Sequence, residues 1–179
     1  MRSIKIPVWR YQEEYEKHRA SFLAAVDRVF SSGRLILGEE VERFERRFAG
    51  YCGARFGIGV NSGTDALFLA MKALGIGAGD DVITVANTAV PTVAAIRATG
   101  AMPAFVDVEA ETFLMDASRI EAAITPRTRA ILPVHLFGQP ADMGAICEIA
   151  RRHRIFVVED CAQAAGAICR GKRVGSLGA

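Results

Sequence analysis

From Phe56 onward, short apolar runs alternate with longer stretches whose apolar positions recur at helical spacing. The strand-like runs are Phe56–Val60, Val82–Val85, Pro103–Val106, Ala130–Val134 and Ile155–Val158. Between them lie helix-like stretches at Asp65–Leu74, Val90–Thr99, Ala117–Ile124 and Ala141–Arg152. Strands that alternate with helices predict βαβ units and a mostly parallel sheet. The runs are continuously apolar rather than alternating, as expected where helices cover both faces of the sheet. The expected fold class is therefore α/β.

The segment before Phe56 follows a different rule. Phe22, Val26, Val29 and Phe30 keep helical spacing, as do Val41, Phe44 and Phe48, with Gly33 and Gly38 between the two sets. Residues 1–55 read as a helical lead-in that packs on an α/β domain formed by 56–179. The tail changes again. Ile168 to Val174 predicts a hairpin turning at Gly171-Lys172, and the chain then stops at Ala179 with no closing helix or strand. That ending leads us to expect an incomplete domain.

Composition adds bounds rather than direction. Apolar residues make up 51% and charged residues 23% of 179 positions, ordinary for one globular domain. A net charge of +2 offers no basic footprint for nucleic acid. The cluster Arg151-Arg152-His153-Arg154 closes a helical stretch, where cations complement the helix dipole. Cys52, Cys147, Cys161 and Cys169 show no CxxC spacing and no clustered histidines, which disfavours a zinc site. With no signal peptide, four scattered thiols point to the reducing cytosol. No apolar run is long enough to span a bilayer.

Candidate chemistry gathers at strand ends. In Val157-Val158-Glu159-Asp160-Cys161-Ala162-Gln163-Ala164, an acid closes a buried strand, where open α/β sheets bind ligands. A buried carboxylate there can keep a ring nitrogen protonated, the service a protein performs for pyridoxal phosphate. It can equally be a helix-capping Asp, and Gln163 can face the same crevice. The first run leads into Asn61-Ser62-Gly63-Thr64-Asp65, which opens a helix. Free N–H groups and the positive dipole end make that an anion site, and Gly63 admits a phosphate close to the backbone. Ser62 and Thr64 could also simply cap the helix.

Gly57, Gly59 and Gly63 give GxGxxxG, one residue longer than the dinucleotide fingerprint, and no acid follows the next strand at Val85-Ala86-Asn87. NAD is a poor fit. Asn87-Thr88, Asp107 and His135 also fall at strand ends, where turn and capping residues are common. His135, alone in Pro133-Val134-His135-Leu136, reads as structural.

Together these segments resemble the DegT/StrS-type sugar aminotransferases, pyridoxal-phosphate enzymes of fold type I. The resemblance runs through Ser32-Gly33-Arg34, Ile36-Leu37-Gly38, Asn61 to Leu67, Gly79 to Thr84, Ala86-Asn87-Thr88, Pro133 to Pro140, Glu159-Asp160, Gln163-Ala164 and Gly175 to Gly178. It implies the large domain of that fold, in truncated form. It implies that Gly63 and Thr64 hold the cofactor phosphate, that Asp160 pairs with the pyridine nitrogen, and that Gln163 reaches the phenolic oxygen. It further implies nucleotide-linked ketosugar substrates, an amino donor such as glutamate, and a homodimer, without nucleic-acid or membrane partners.

Two departures from the family pattern stand out. The aromatic residue that often stacks on the cofactor ring is replaced by Ala89, followed by Val90-Pro91. The lysine that binds the cofactor covalently in the family lies beyond Ala179, and Lys5, Lys17, Lys72 and Lys172 do not match its position. We therefore name no catalytic residue and no metal ligand. We expect the chain alone not to transaminate and to bind pyridoxal phosphate weakly and non-covalently at best. The alternatives are a sugar dehydratase of the same family, which carries His at the lysine position, or a non-catalytic product.

Overall fold

The computed structural model describes residues 10–178. They divide into two compact units, one ending at Phe44 and one beginning at Glu45. The first unit contains helix α1 (Tyr11–Ser32) and the start of α2 (Glu39–Cys52). α1 is closed by Gly33, whose φ of 68° gives the left-handed cap that glycine adopts without steric cost. Tyr11, Tyr15 and Phe22 form a stacked ladder along it, with 6.3 Å between successive ring centroids.

The second unit carries the sheet. Its elements run α3 (Gly63–Ala73), β1 (Asp81–Val85), α4 (Val90–Thr99), β2 (Met102–Val106), α5 (Ile120–Ala123), β3 (Thr128–Ile131), α6 (Met143–His153) and β4 (Phe156–Val157). The strand order is β2-β1-β3-β4, and every pairing is parallel. Parallel neighbours need crossovers, and α4, α5 and α6 supply them. β1 is buried at all five positions, which explains its unbroken apolar character apart from Asp81 and Thr84. Ile83 pairs with Ile131, which pairs with Val157, so one apolar row crosses the sheet. Met71 of α3, Ile96 of α4, Ile120 of α5 and Ile146 of α6 are fully buried in the same core. No helix among the described residues is long and apolar enough to cross a membrane.

The expected α/β class and parallel sheet are present, with local corrections. Phe56–Val60 is not a strand. It joins no ladder among the described residues, and Phe56 and Ile58 are 70% and 79% exposed. Its apolar pattern suits a strand, but pairing depends on a neighbour, and here the neighbour is a helix. Glu45 of α2 accepts a hydrogen bond from the Gly59 N–H at 2.6 Å. The Ala117–Ile124 helix begins as a 3₁₀ turn at Ala117–Arg119, with Asp116 capping through the Ser118 N–H.

The hairpin is formed by β5 (Ile168–Cys169) and β6 (Lys172–Arg173). It turns at Arg170-Gly171 rather than Gly171-Lys172. Both loop residues have positive φ, 50° and 82°, as a two-residue hairpin turn twisted to match its strands requires. The basic cluster behaves as a helix end: Arg152 and His153 both meet Glu121 of α5 at 3.1 Å.

Candidate cofactor site

β4 is only two residues long, yet the chain continues its direction beyond Val157. Val134 bridges Asp160 in parallel register, the Asp160 N–H donates to the Pro133 carbonyl, and the His135 N–H donates to the Asp160 carbonyl, each at 3.0 Å. This backbone frame holds Asp160 at the carboxyl edge of the sheet. Its residue surface is 9% exposed, and burial of a carboxylate requires donors. The Thr92 hydroxyl donates to Oδ2 at 2.8 Å, and the Ala162 N–H donates to Oδ1 at 3.2 Å. Each oxygen keeps a further lone pair for a ligand.

A cavity of about 490 Å³ opens beside this carboxylate. Asp160, Gly63, Leu67, Phe56, Ile58 and Cys161 are among its lining residues. Gly63 is the first residue of α3. Ser62 caps that helix: its Oγ accepts the Asp65 N–H at 3.1 Å, and its hydroxyl donates to Asp65 Oδ2 at 2.9 Å. The cap uses the Asp65 amide. The amides of Gly63 and Thr64 belong to the first turn, where helix N–H groups have no partner within the helix. A Cβ on Gly63 would meet nothing within 4 Å, so the space above this backbone is open. Of the four residues named from sequence, Gly63 and Asp160 share the cavity, while Thr64 and Gln163 are not among its lining residues.

Gln163 works on a different loop. Its Oε1 accepts the Phe137 N–H at 3.1 Å, which steadies a turn where Phe137 and Gly138 have φ of 57° and 83°. With the oxygen engaged, its amide N–H groups remain as donors. Two of the other strand-end residues bond to backbone: Asn87 donates to the Phe113 carbonyl at 3.2 Å, and Asp107 accepts the Val108 N–H at 2.8 Å.

Sequence reading passed over Glu159. Its carboxylate accepts from His135 Nε2 at 3.2 Å, Gly175 N at 2.9 Å, Leu177 N at 2.8 Å and Gly178 N at 2.7 Å. Burial by itself would raise its pKa. The His135 hydrogen bond and the three backbone donors outweigh that and hold the group below the usual carboxylate value. Cys161 lies beside this cluster, and its thiol is pushed up to about 12 by burial and then by the carboxylates of Glu159 and Asp160. His135, Glu159 and Cys161 bring their ligand atoms within 4.8 Å of one another. Within this cluster each Glu159 oxygen already accepts two hydrogen bonds, Oε2 from His135 and Gly175 and Oε1 from Leu177 and Gly178. Thr92 was also missed, because a Thr in the first turn of a helix looks like an ordinary capping residue.

An open parallel sheet, an acid at a strand's carboxyl edge and the Ser62-capped start of α3 on one cavity make an α/β domain whose edge suits an anionic ligand. The chain belongs to the DegT/DnrJ/EryC1/StrS aminotransferase family, whose profile matches residues 16–179. It is 53% identical over 170 residues to the dTDP-3-amino-3,4,6-trideoxy-alpha-D-glucose transaminase of Micromonospora megalomicea subsp. nigra, covering 95% of this chain and 46% of the relative. The crystal structure of DesV from S. venezuelae superposes with a TM-score of 0.94 at 49% identity, covering 97% of this chain and 47% of that one. NtdA from Bacillus subtilis, solved with bound cofactor PMP, matches with a TM-score of 0.87 at 38% identity, covering 92% and 38%. The family is pyridoxal-phosphate dependent. The chain spans less than half the length of these relatives.

Proposed function

We propose that this chain forms the cofactor-binding part of a pyridoxal-phosphate aminotransferase acting on nucleotide-linked ketosugars, with glutamate or a similar amino acid as amino donor. The carrying observation is the cavity shared by Asp160 and Gly63, which offers a buried carboxylate and an open helix N-terminus to one ligand. The residues fit the cofactor chemically. The Gly63 and Thr64 amides offer donors to a phosphate, the spare lone pairs of Asp160 accept from a protonated ring nitrogen, and the Gln163 amide N–H groups can donate to the phenolic oxygen.

When bound, pyridoxal phosphate supplies an electron sink for chemistry at the substrate's amine-bearing carbon. The protein's part is to hold the phosphate on α3 and keep a proton on the ring nitrogen through Asp160. Phe56, Ile58 and Leu67 give the cavity an apolar wall. Lys72 and Lys172 do not line this cavity, so neither supports covalent attachment of the cofactor there. The reading extends to a division into a helical lead-in at 1–55 and a cofactor domain at 56–179, a homodimeric assembly, a cytoplasmic location, and no nucleic-acid or membrane partner.

Titration of the purified chain with pyridoxal phosphate, followed by cofactor absorbance, tests this reading. The expected result is saturable binding that is weakened about tenfold or more by Asp160→Ala, with no cofactor fixed to protein by borohydride. No binding, or binding unaffected by the substitution, overturns it. Steady amino transfer from glutamate by the chain alone would overturn the non-covalent part.

A further inference from the structure

Thr92 lies in the first turn of α4 and is 1% exposed. A buried threonine in a helix commonly satisfies its hydroxyl by bonding back to a carbonyl of the preceding turn. Thr99 at the other end of α4 does this, donating to the Ile96 carbonyl at 2.7 Å. Thr92 instead reaches across 68 residues of sequence to Asp160 Oδ2, at 2.8 Å. Behind it, Thr88 Oγ1 lies 2.8 Å from Thr92 Oγ1. A hydroxyl has one proton. Since the carboxylate accepts, the Thr92 proton is committed to Asp160, and Thr88 must donate to Thr92. The order Thr88 to Thr92 to Asp160 is thus fixed by proton count. The first turn of α4 also presents the positive end of its helix dipole to the same carboxylate.

We propose that Thr92 is a positioning residue for Asp160, and Thr88 for Thr92, so that two hydroxyls in series set which lone pairs of Asp160 face a bound pyridine nitrogen. This rests on the reading of Asp160 given above. α4 grips Oδ2 while the Ala162 N–H grips Oδ1, so the carboxylate is held from two separate elements and cannot rotate without losing a bond. Hydrogen bonds to a charged acceptor are stronger than neutral ones and sharpen orientation. Thr92 does not touch the cofactor in this arrangement. It determines how well Asp160 recognises the ring nitrogen.

The test compares binding of pyridoxal phosphate with binding of its analogue in which carbon replaces the ring nitrogen. Wild-type chain is expected to prefer the natural cofactor by about tenfold or more, and Asp160→Asn to abolish that preference. Thr92→Val, which removes the hydroxyl at nearly constant shape, is expected to cut the preference several-fold, while Thr92→Ser restores it. A merely structural role would weaken both ligands equally and leave the ratio unchanged. Should Thr92→Val fail to fold, Thr88→Val carries the test, with a smaller loss of preference expected. Full preference retained in a folded Thr92→Val, or in Thr88→Val if that variant alone folds, overturns the proposal. Absence of any preference in the wild type overturns the Asp160 reading and this proposal with it.

Discussion

His135 donates its Nε2 proton to Glu159 at 3.2 Å, and the direction of that bond is set on the far side of the ring. The Ala141 N–H donates to His135 Nδ1 at 3.0 Å, so Nδ1 must carry the lone pair and Nε2 the hydrogen. His135 is fully buried and acts as a neutral spacer. Glu159 then gathers Gly175, Leu177 and Gly178 through their amides, tying the tail segment beneath the sheet's carboxyl edge.

Replacing Glu159 therefore loosens the tail before it loosens the sheet. Glu159→Gln turns one acceptor oxygen into an N–H donor facing backbone N–H groups. Loss of buried charge-assisted bonds of this kind costs about 2–4 kcal/mol. Amide exchange is expected to speed up at Gly175, Leu177 and Gly178, with little change at Val82 and Ile83 in β1. Uniform acceleration across the sheet would show that the clamp is instead part of the global fold.

The same carboxylate sets an acid dependence. Its folded pKa lies below the unfolded value, near 4.5, so its contribution to stability is complete above that pH and fades as pH falls through the folded value. Wild-type stability is expected to decline more steeply below about pH 4.5 than that of Glu159→Gln, which has no proton to take up. Urea unfolding of both proteins from pH 6 to pH 3 measures the difference, and parallel curves would remove Glu159 as its source.

Cys161 is expected to be a slow thiol despite lining a cavity. With its pKa pushed up to about 12 against a usual 9.0, its thiolate fraction near neutral pH falls roughly a thousandfold. Iodoacetamide at pH 8 is expected to leave Cys161 unmodified in the folded chain and to label it readily in urea. Mass spectrometry of tryptic peptides reads this directly. Rapid labelling of the folded chain would contradict the burial that raises the pKa.

Much of this architecture was legible because local pattern and tertiary role agree. Ile83, Ile96 and Ile146 fall on predicted elements and are fully buried in the core. The Asp160 edge was legible because an acid ending an apolar run in an α/β sheet has few places to go. What escaped depended on partners distant in sequence. Nothing near Phe56–Val60 reveals that Glu45 would meet its backbone, and nothing near Glu159 reveals donors 16–19 residues ahead. Nothing near Thr92 reveals its role either, because its partner Asp160 lies 68 residues away in another crossover unit.

Two glycines in one stretch separate a structural from a binding role. A Cβ on Gly57 would stand 2.6 Å from the Glu45 carbonyl oxygen, a backbone atom that cannot swing away. Gly57→Ala is expected to cost about 1–3 kcal/mol through that overlap and to lower the urea midpoint. A Cβ on Gly63 meets open space, and α3 gains from replacing a flexible residue at its start. Gly63→Ala is therefore expected to leave stability unchanged or raise it by up to about 1 kcal/mol, while, on the proposed phosphate contact with the start of α3, weakening pyridoxal phosphate. Pyridoxal, which lacks the phosphate, is expected to bind Gly63→Ala and wild type alike. If Gly63→Ala binds pyridoxal phosphate as tightly as wild type does, the phosphate does not rest on the start of α3.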